Sequence, residues 1–270
     1  MHAFEYHRPS SVSDAARILS EKPEASLLAG GQTLIPTLKQ RLAAPSEVVD
    51  LRGIGDLRRI EKSGSNIVVG AMATHAQVAS SADVRRAIPA LAHLAGEIGD
   101  PQVRHAGTIA GSIANNDPAA DYPAAILGLG ATIVTDKRQI DADSFFTGLF
   151  STALQPGEII TEVRFPIPSK AGYAKFEQRA SRYALVGVFV SQSSGMFSTS
   201  VRAAVTGAGA NGVFRSSDLE NALKSNWAPE AVRDLKVAAS GLLSDLHASA
   251  EYRAALIPVM AERAVQAAPV

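Results

Sequence analysis

A short apolar run that ends in two glycines and continues into a helical pattern is the feature that most constrains this chain. The run extends from Leu27 to Pro36, with Gly30 and Gly31 in its middle. Glycine has no Cβ, so the backbone here can turn its N–H groups towards a bound group. A helix that begins directly behind the glycines adds free N–H groups and a positive dipole end, which suits a phosphate. Alone, the stretch predicts either an ordinary turn or one half of a phosphate site.

A second stretch of small residues lies between Thr108 and Asp121. Alanine, glycine and serine at positions 106, 107 and 110–112 allow a ligand to approach the backbone closely. Thr108 and Ser112 add hydroxyl groups, and Asp117 and Asp121 add acceptors for sugar or ribityl hydroxyls. The stretch lacks periodicity, and we predict a long loop over residues 107–121. Alone it predicts a tight loop with Asx turns, but two such stretches in one chain favour a diphosphate held from two sides.

Composition excludes several classes of protein. The 270 residues include no cysteine, so disulfides, thiolate zinc sites and iron–sulfur clusters ligated by cysteine are excluded within the chain. The 26 basic and 26 acidic residues give a net charge of +0, which predicts no binding of nucleic acid or anionic membranes. No apolar run approaches the roughly 20 residues of a membrane span. The N-terminus lacks the pattern of a signal peptide, so we expect a cytoplasmic protein.

No catalytic or metal site can be placed by spacing. None of the six histidines pairs with another at a metal-ligand spacing, so we predict no metal site. No Ser–His–Asp set, Cys–His set or carboxylate pair is apparent either, so we predict no catalytic residues.

The order of the predicted strands and helices indicates an α+β fold in two parts. Residues 26–51 are typical of a strand–helix–strand unit, and Ser63-Gly64-Ser65 predicts a hairpin. Pro166-Ile167-Pro168-Ser169 is the clearest boundary, and Pro258 should kink or divide the last helix. Beyond the boundary we predict three strands in meander order and then three helices: 173–179, 184–191 and 198–205, followed by 218–224, 229–239 and 250–268.

One glycine motif in the second part is not expected to bind a cofactor. Residues 207–212 fit the pattern G-x-G-x-x-G. A dinucleotide site needs a helix directly after this pattern and an acidic residue about 20 positions later. Here Val213-Phe214-Arg215 continues extended, and residues 226–229 form a turn. We therefore predict a glycine-rich connection that leaves a strand.

Several segments, in the right order and over nearly the whole chain, resemble the flavin-carrying medium subunits of the molybdenum hydroxylases. That family includes the aerobic carbon monoxide dehydrogenases and the xanthine dehydrogenases. Residues 29–36 resemble its first FAD-binding signature, and residues 108–121 resemble its second, with the Asp-Pro-Ala-Ala-Asp run. Residues 145–148, 156–160 and 163–166 resemble the segment that closes the FAD domain. Residues 248–264 resemble the C-terminal helix of the family.

The resemblance implies the domain organisation. Residues 1–168 would form a two-part FAD-binding domain of the PCMH/VAO type, with subdomains of about 1–55 and 56–168. Residues 169–270 would form a smaller C-terminal domain with a three-stranded antiparallel sheet and a helical bundle.

The resemblance also implies the residues that contact FAD. Backbone N–H groups of residues 29–33 and 108–112 would hold the pyrophosphate, Asp121 would lie near the ribityl chain, and Tyr183 would pack beside the isoalloxazine ring. Two positions depart from the family pattern, because Ala110 replaces a glycine and Asn115-Asn116 replaces a smaller or histidine-containing pair. The implied cofactor-binding residues are Ala29, Gly30, Gly31, Gln32, Thr33, Leu34, Thr108, Ile109, Ala110, Gly111, Ser112, Asp117, Asp121 and Tyr183.

The function implied by the resemblance is electron relay. A large subunit with the molybdenum cofactor would oxidise the organic substrate, and two-iron two-sulfur clusters on a small subunit would carry the electrons to non-covalently bound FAD on this chain. NAD, a quinone or oxygen would accept them. The complex would be a dimer of heterotrimers.

Two other functions stay open at this point. A self-contained FAD-dependent oxidase or dehydrogenase would share the same fold, but it usually needs a larger cap domain than the roughly 100 residues after Pro168. A nucleotide-binding module that has lost the flavin is the second alternative, and the one observation in its favour is Ala110.

Overall fold

The computed structural model describes residues 1–195 and 198–268, and its first fifty residues form a parallel three-stranded sheet. The elements here are β1 (Glu5–His7), α1 (Val12–Glu21), β2 (Ser26–Leu28), α2 (Leu34–Lys39) and β3 (Glu47–Asp50). The strand order is β1-β3-β2, so the predicted strand–helix–strand unit is present. Because β2 ends directly before the glycine pair, both glycines lie at the carboxyl edge of this sheet.

The middle of the chain forms a five-stranded antiparallel sheet surrounded by short helices. After two 3₁₀ turns (Leu51–Gly53 and Gly55–Arg58), the elements are β4 (Ile60–Ser63), β5 (Asn66–Gly70), α3 (His75–Ser80), α4 (Ala82–Ala87), α5 (Pro89–Gly96), α6 (Pro101–Ala106), α7 (Ile109–Asn115), α8 (Tyr122–Leu129), β6 (Thr132–Thr135), β7 (Gln139–Asp141), α9 (Ala142–Phe145), β8 (Phe146–Gly148), β9 (Ser151–Thr152) and β10 (Ile160–Pro166). The strand order is β4-β5-β10-β6-β7, and β8 and β9 pair separately. The predicted hairpin is confirmed by the pairing of Ser63 with Asn66.

Helix α7 corrects the prediction of an irregular loop over residues 107–121. Thr108 caps this helix, because its Oγ1 accepts a hydrogen bond from Gly111 N at 3.2 Å. Ile109 and Ile113 lie one turn apart and are fully buried, so α7 is held by its apolar face. The small and polar residues between them conceal the helical period in the sequence.

The last part of the chain forms a four-stranded antiparallel sheet followed by three helices. Its elements are β11 (Lys170–Glu177), β12 (Ala184–Ser194), β13 (Thr199–Thr206), β14 (Phe214–Arg215), α10 (Ser217–Ser225), α11 (Glu230–Arg233) and α12 (Ala250–Ala267). The meander order is as predicted, but β14 adds a fourth strand to the expected three. Residues 207–212 connect β13 to β14, so the G-x-G-x-x-G pattern is a connection, as predicted.

Helices cover both faces of this last sheet. Val186, Val188 and Val190 of β12 belong to one hydrophobic core with α10 and α12. Phe189 points to the opposite face, where it packs against Gly128 of α8 and joins the main core. Because β12 is covered on both faces, most of its residues are buried without the alternation of a half-exposed strand.

One helix prediction in the last part needs correction, and one of the two outcomes expected at Pro258 is excluded. The helix expected at residues 229–239 is a single turn at α11, and Leu235 and Val237 pack onto the core from irregular backbone. Pro258 does not divide α12, which runs without a break. Buried Ile257 and Met260 beside the proline pack on the sheet, and that packing offsets one lost backbone hydrogen bond. Over residues 1–195 and 198–268, no helix is both long and apolar enough to cross a membrane.

Gly172 is where α12 lies directly on β11, because a Cβ at Gly172 would lie 1.8 Å from Ala264 O. We expect Gly172→Ala to lower the free energy of unfolding by about 1–3 kcal/mol, since α12 must move away from the sheet. Urea unfolding followed by circular dichroism measures this. Gly55→Ala is the matched control, because a Cβ there meets nothing within 4 Å. Equal stability of the two variants would contradict the close packing of α12.

Candidate functional site

A cavity of about 630 Å³ brings the two glycine stretches together with a turn of the last sheet. Every sequence-predicted site residue except Ile109 lines this cavity; Ile109 is fully buried in the core. The predicted residues that line it are Ala29, Gly30, Gly31, Gln32, Thr33, Leu34, Thr108, Ala110, Gly111, Ser112, Asp117, Asp121 and Tyr183. Residues far apart in the sequence therefore converge on one site.

The two glycine stretches are in direct contact at Gly30. A Cβ at Gly30 would lie 2.2 Å from Ala106 O and 2.7 Å from Gly107 Cα, so no other residue fits here without movement. One turn further along, a Cβ at Gly111 would lie 3.6 Å from Ala29 Cβ. The two segments thus form one continuous wall of the cavity.

The first glycine stretch carries hydrogen-bond donors that the protein does not use. In the described part of the chain, the N–H groups of residues 30–34 donate to no protein acceptor. The first helical bonds run from Ile35 N to Gly31 O at 3.1 Å and from Thr37 N to Thr33 O at 3.2 Å. Gly31 has φ +75°, a left-handed conformation that favours glycine. This segment therefore offers a row of backbone donors to an anionic ligand.

The second glycine stretch differs, because the N–H groups of residues 109–112 are already bonded inside the protein. Of the residues 108–112, whose N–H groups are predicted to hold the pyrophosphate, only Thr108 has one that donates to no acceptor in the described part of the chain. What the second stretch offers to a ligand is its small side chains and the Ser112 hydroxyl. The internal bonds run from Ile109 N to Ala73 O (3.1 Å), Ala110 N to Ala71 O (3.2 Å), Gly111 N to Thr108 Oγ1 (3.2 Å) and Ser112 N to Thr108 O (3.0 Å).

The structure explains one departure from the family pattern, at Asn116. Asn116 ends α7 in a left-handed conformation with φ +44°. Its Nδ2 donates to Gly148 O and to Ser151 O, both at 2.8 Å, so it holds the β8–β9 hairpin. Asn116 does not line the cavity, whereas Asn115 does.

The two aspartates of the second stretch have different environments. Asp117 Oδ1 accepts from Ala119 N at 2.9 Å. Asp121 is buried, its Oδ1 accepts from Tyr173 Oη at 2.6 Å, and Lys175 Nζ lies 3.0 Å away. Burial raises the pKa of Asp121, while the charge of Lys175 opposes that change. Asp121 therefore lines the cavity and also joins the middle of the chain to the last sheet.

Tyr183 reaches the cavity from a turn and not from a strand. It directly precedes β12, and its side chain is 48% exposed. Two backbone hydrogen bonds close this turn, from Gln178 N to Tyr183 O at 2.8 Å and from Arg182 N to Gln178 O at 2.7 Å. Tyr183 is thus available at the mouth of the cavity.

Sequence reasoning missed several residues of the cavity wall. Glu158 lies in a segment that resembles the family, but no role was assigned to it. Its carboxylate accepts hydrogen bonds from Arg138, Gln155 N and Thr135. These bonds lower the pKa of Glu158 to about 2, and the bond from Arg138 has the largest effect. No sequence signal marks the other apolar residues of the wall, which include Leu51, Ile98, Val103 and Leu154.

The described residues include one group with metal-ligand spacing, away from this cavity. It consists of Glu5, His7 and Glu47 at the edge of the first sheet. His7 Nε2 bonds to one Glu47 oxygen, and Lys22 Nζ lies 3.0 Å from the other. Since Lys22 already neutralises Glu47, the group needs no cation. The absence of a metal site stays a prediction.

His75 is a second wall residue that sequence reasoning missed, and it is held neutral. Its side chain is buried, Nδ1 has no partner among the described residues, and Nε2 lies 2.5 Å from the position of a Cβ at Gly107. Burial, with a smaller contribution from the charge of Arg104, lowers the pKa of His75 from 6.5 to about 4.

This pKa predicts a pH dependence of stability. Between pH 6.5 and 4 the imidazole binds a proton only in the unfolded chain, so its full contribution is present above pH 6.5 and is lost as the pH falls towards 4. We expect His75→Gln to remove roughly 2–3 kcal/mol of the decline in unfolding free energy over this range. Urea unfolding at several pH values measures it. His105→Gln, at an exposed histidine, is the control, and an unchanged pH slope in His75→Gln would refute the assignment.

Comparison with known proteins finds relatives over nearly the whole chain. Residues 2–168 match the family described as the FAD binding domain in molybdopterin dehydrogenase. The nicotine 6-hydroxylase medium subunit of Paenarthrobacter nicotinovorans is 36% identical, over 97% of this chain and 96% of its own length. The carbon monoxide dehydrogenase medium chain of Hydrogenophaga pseudoflava is 35% identical, over 98% and 96%.

Solved structures show the same similarity over the whole fold. One is carbon monoxide dehydrogenase from Hydrogenophaga pseudoflava, in a form that lacks the Mo-pyranopterin moiety of the molybdenum cofactor. It matches with a TM-score of 0.89 at 35% identity, over 98% of this chain and 96% of that one. The α+β fold predicted from the sequence is confirmed. The chain belongs to the family of FAD-binding medium subunits of the molybdenum hydroxylases, and it is a subunit of an oxidoreductase.

Proposed function

We propose that this chain holds FAD in the 630 Å³ cavity and relays electrons from iron–sulfur clusters on a partner subunit to an external acceptor. The observation that carries the proposal is the convergence on one cavity of both glycine stretches and Tyr183. When bound, FAD supplies the ability to take up two electrons and to release them to a different partner.

The cavity suits FAD in size and in donors. Its volume lies within the range of about 300–1,000 Å³ that is typical of cofactor sites. The unused N–H groups of residues 30–34 suit the diphosphate, because backbone donors in a turn form anion-binding concavities. The contact of Gly30 with Ala106 and Gly107 leaves room for the ligand but none for a side chain. We propose non-covalent binding, by hydrogen bonds and packing.

Each group of wall residues has a separate role in this proposal. Residues 29–34 bind the diphosphate, Ser112 adds a hydroxyl on the opposite side, and Asp117 and Asp121 offer acceptors to the ribityl hydroxyls. Tyr183 covers the ring and limits the access of water. His75, which stays neutral at physiological pH, adds no positive charge to the wall.

We propose that the partners are a large molybdopterin subunit, which oxidises the organic substrate, and a small iron–sulfur subunit, in a dimer of heterotrimers. Two observations support this over a self-contained oxidase. The chain spans 96% of the length of medium chains from multi-subunit enzymes, and it has no cysteine with which to bind a cluster itself. The cytoplasmic location and the absence of nucleic-acid binding stay predictions.

We also propose a division of the chain into an FAD-binding domain at residues 1–168 and a C-terminal domain at 169–270. The matched family ends at residue 168, and the last sheet begins at Lys170. The change of sheet at this point supports the division.

The purified chain should bind about one FAD, as expected for a single-cofactor flavoprotein, and should not oxidise organic substrates alone. Titration of the flavin-free chain with FAD, followed by absorbance and calorimetry, measures the first part. Substrate turnover assays with and without co-expressed partner subunits measure the second. A chain that stays colourless after FAD is added refutes the proposal, and turnover without partners favours a self-contained enzyme.

A charge placed on the cavity wall tests where the diphosphate lies. Ser112 is partly exposed on this wall, and its hydroxyl has no protein partner in the described part of the chain. We expect Ser112→Glu to lower FAD affinity more than roughly tenfold relative to Ser112→Gln, because a carboxylate repels the diphosphate in a site of low polarity. The glutamine variant is the control for size. Equal affinities would place the diphosphate elsewhere in the cavity.

A further inference from the structure

Lys175 is a buried lysine whose three N–H donors each have an acceptor. Its side chain is 3% exposed, and Nζ lies 3.0 Å from Asp121 Oδ1. Nζ also donates to Glu97 O and to Arg182 O, both at 2.8 Å. An ammonium group has three donors and no acceptor, so its capacity is fully used here. No uncharged side chain of this length can replace all three bonds.

The three acceptors lie in, or directly beside, three separate parts of the cavity wall. Glu97 directly precedes Ile98 and Gly99, which line the cavity. Asp121 lines it from the start of α8, and Arg182 lines it from the turn that ends in Tyr183. Lys175 itself is not among the residues that line this cavity. It therefore contacts what surrounds the ligand without contacting the ligand.

The bond to Arg182 O is the one that lies next to Tyr183 in the chain. The turn of residues 178–183 closes through two backbone hydrogen bonds, and Lys175 ties its far end to the middle of the chain. Tyr183, the residue that follows Arg182, is 48% exposed. Without Lys175, the turn loses the interactions that connect it to Glu97 and Asp121.

We propose that Lys175 is a positioning residue that holds Tyr183 over the cofactor by tying the 178–183 turn to Glu97 and Asp121. This inference rests on the proposed binding of FAD in the cavity. It assigns to the last sheet a part in shaping the flavin site, through a residue that does not contact the flavin.

The test removes both charges of the pair at once. Lys175→Met alone leaves a buried carboxylate without its partner and can prevent folding, whereas Lys175→Met combined with Asp121→Asn leaves no unpaired charge. Asp121→Asn alone is the reference, because it keeps the two carbonyl bonds of Lys175; since it leaves the Lys175 charge without its carboxylate, circular dichroism must first show that this variant folds. Lys170→Met, on the same strand, is the control for loss of a lysine.

Hydrogen exchange of the flavin-free chain gives a first readout that does not depend on FAD. We expect the amides of residues 178–183 to exchange about tenfold faster in the double variant than in Asp121→Asn, since a hydrogen bond to a charged group is lost. Exchange in α12 should not change. Unchanged exchange in the turn would overturn the inference even if the chain binds FAD.

Flavin fluorescence gives the second readout. A tyrosine packed on the ring quenches flavin emission, so Tyr183→Ala should raise the emission of the bound cofactor. The double variant should also raise this emission. Adding Tyr183→Ala to the double variant should then change the emission little, because both changes act through the Tyr183 side chain. Additive effects would overturn the inference. If the wild-type chain binds no FAD, the proposed function fails, and hydrogen exchange alone decides whether Lys175 positions the turn.

Discussion

The contact between Gly30 and the backbone of Ala106 and Gly107 is the constraint on which the rest of the site depends. It joins the edge of the parallel sheet to the end of α6, 76 positions later in the chain. A side chain at position 30 would separate the two walls, because no space remains between the backbones. The cavity exists because two segments without bulky side chains lie against each other at its edge.

The two glycine stretches have different physical roles, although they look alike in the sequence. The first leaves the N–H groups of residues 30–34 without a protein acceptor, and a ligand with anionic oxygens can accept hydrogen bonds from them. The second places the N–H groups of residues 109–112 in bonds to Thr108, Ala71 and Ala73. Ala110 suits the helix, since a helical residue with a bonded amide has no need of glycine's freedom and alanine favours the helix.

The last sheet completes the site through a buried ion pair. Asp121 and Lys175 are both nearly inaccessible to solvent, and such pairs are costly unless every donor and acceptor is bonded. Here Tyr173 and two backbone carbonyls complete the network. The pair therefore orients segments more than it stabilises the chain, and it brings Tyr183 to the mouth of a cavity formed mainly by the first 168 residues.

The sequence by itself determined the α+β fold, the meander and the two stretches that meet at the cavity, because glycine pairs, strand runs and turn residues are local signals. Tertiary structure decided the rest. Helix α7 forms because Ile109 and Ile113 find a core, α12 continues past Pro258 because both sides of it are packed, and β14 pairs only beside a completed β13. Two features of the site depend on partners that are distant in the chain: the set of amides that remain free for a ligand, and the pairing of Asp121 with Lys175. No local sequence pattern shows which of these distant residues come into contact.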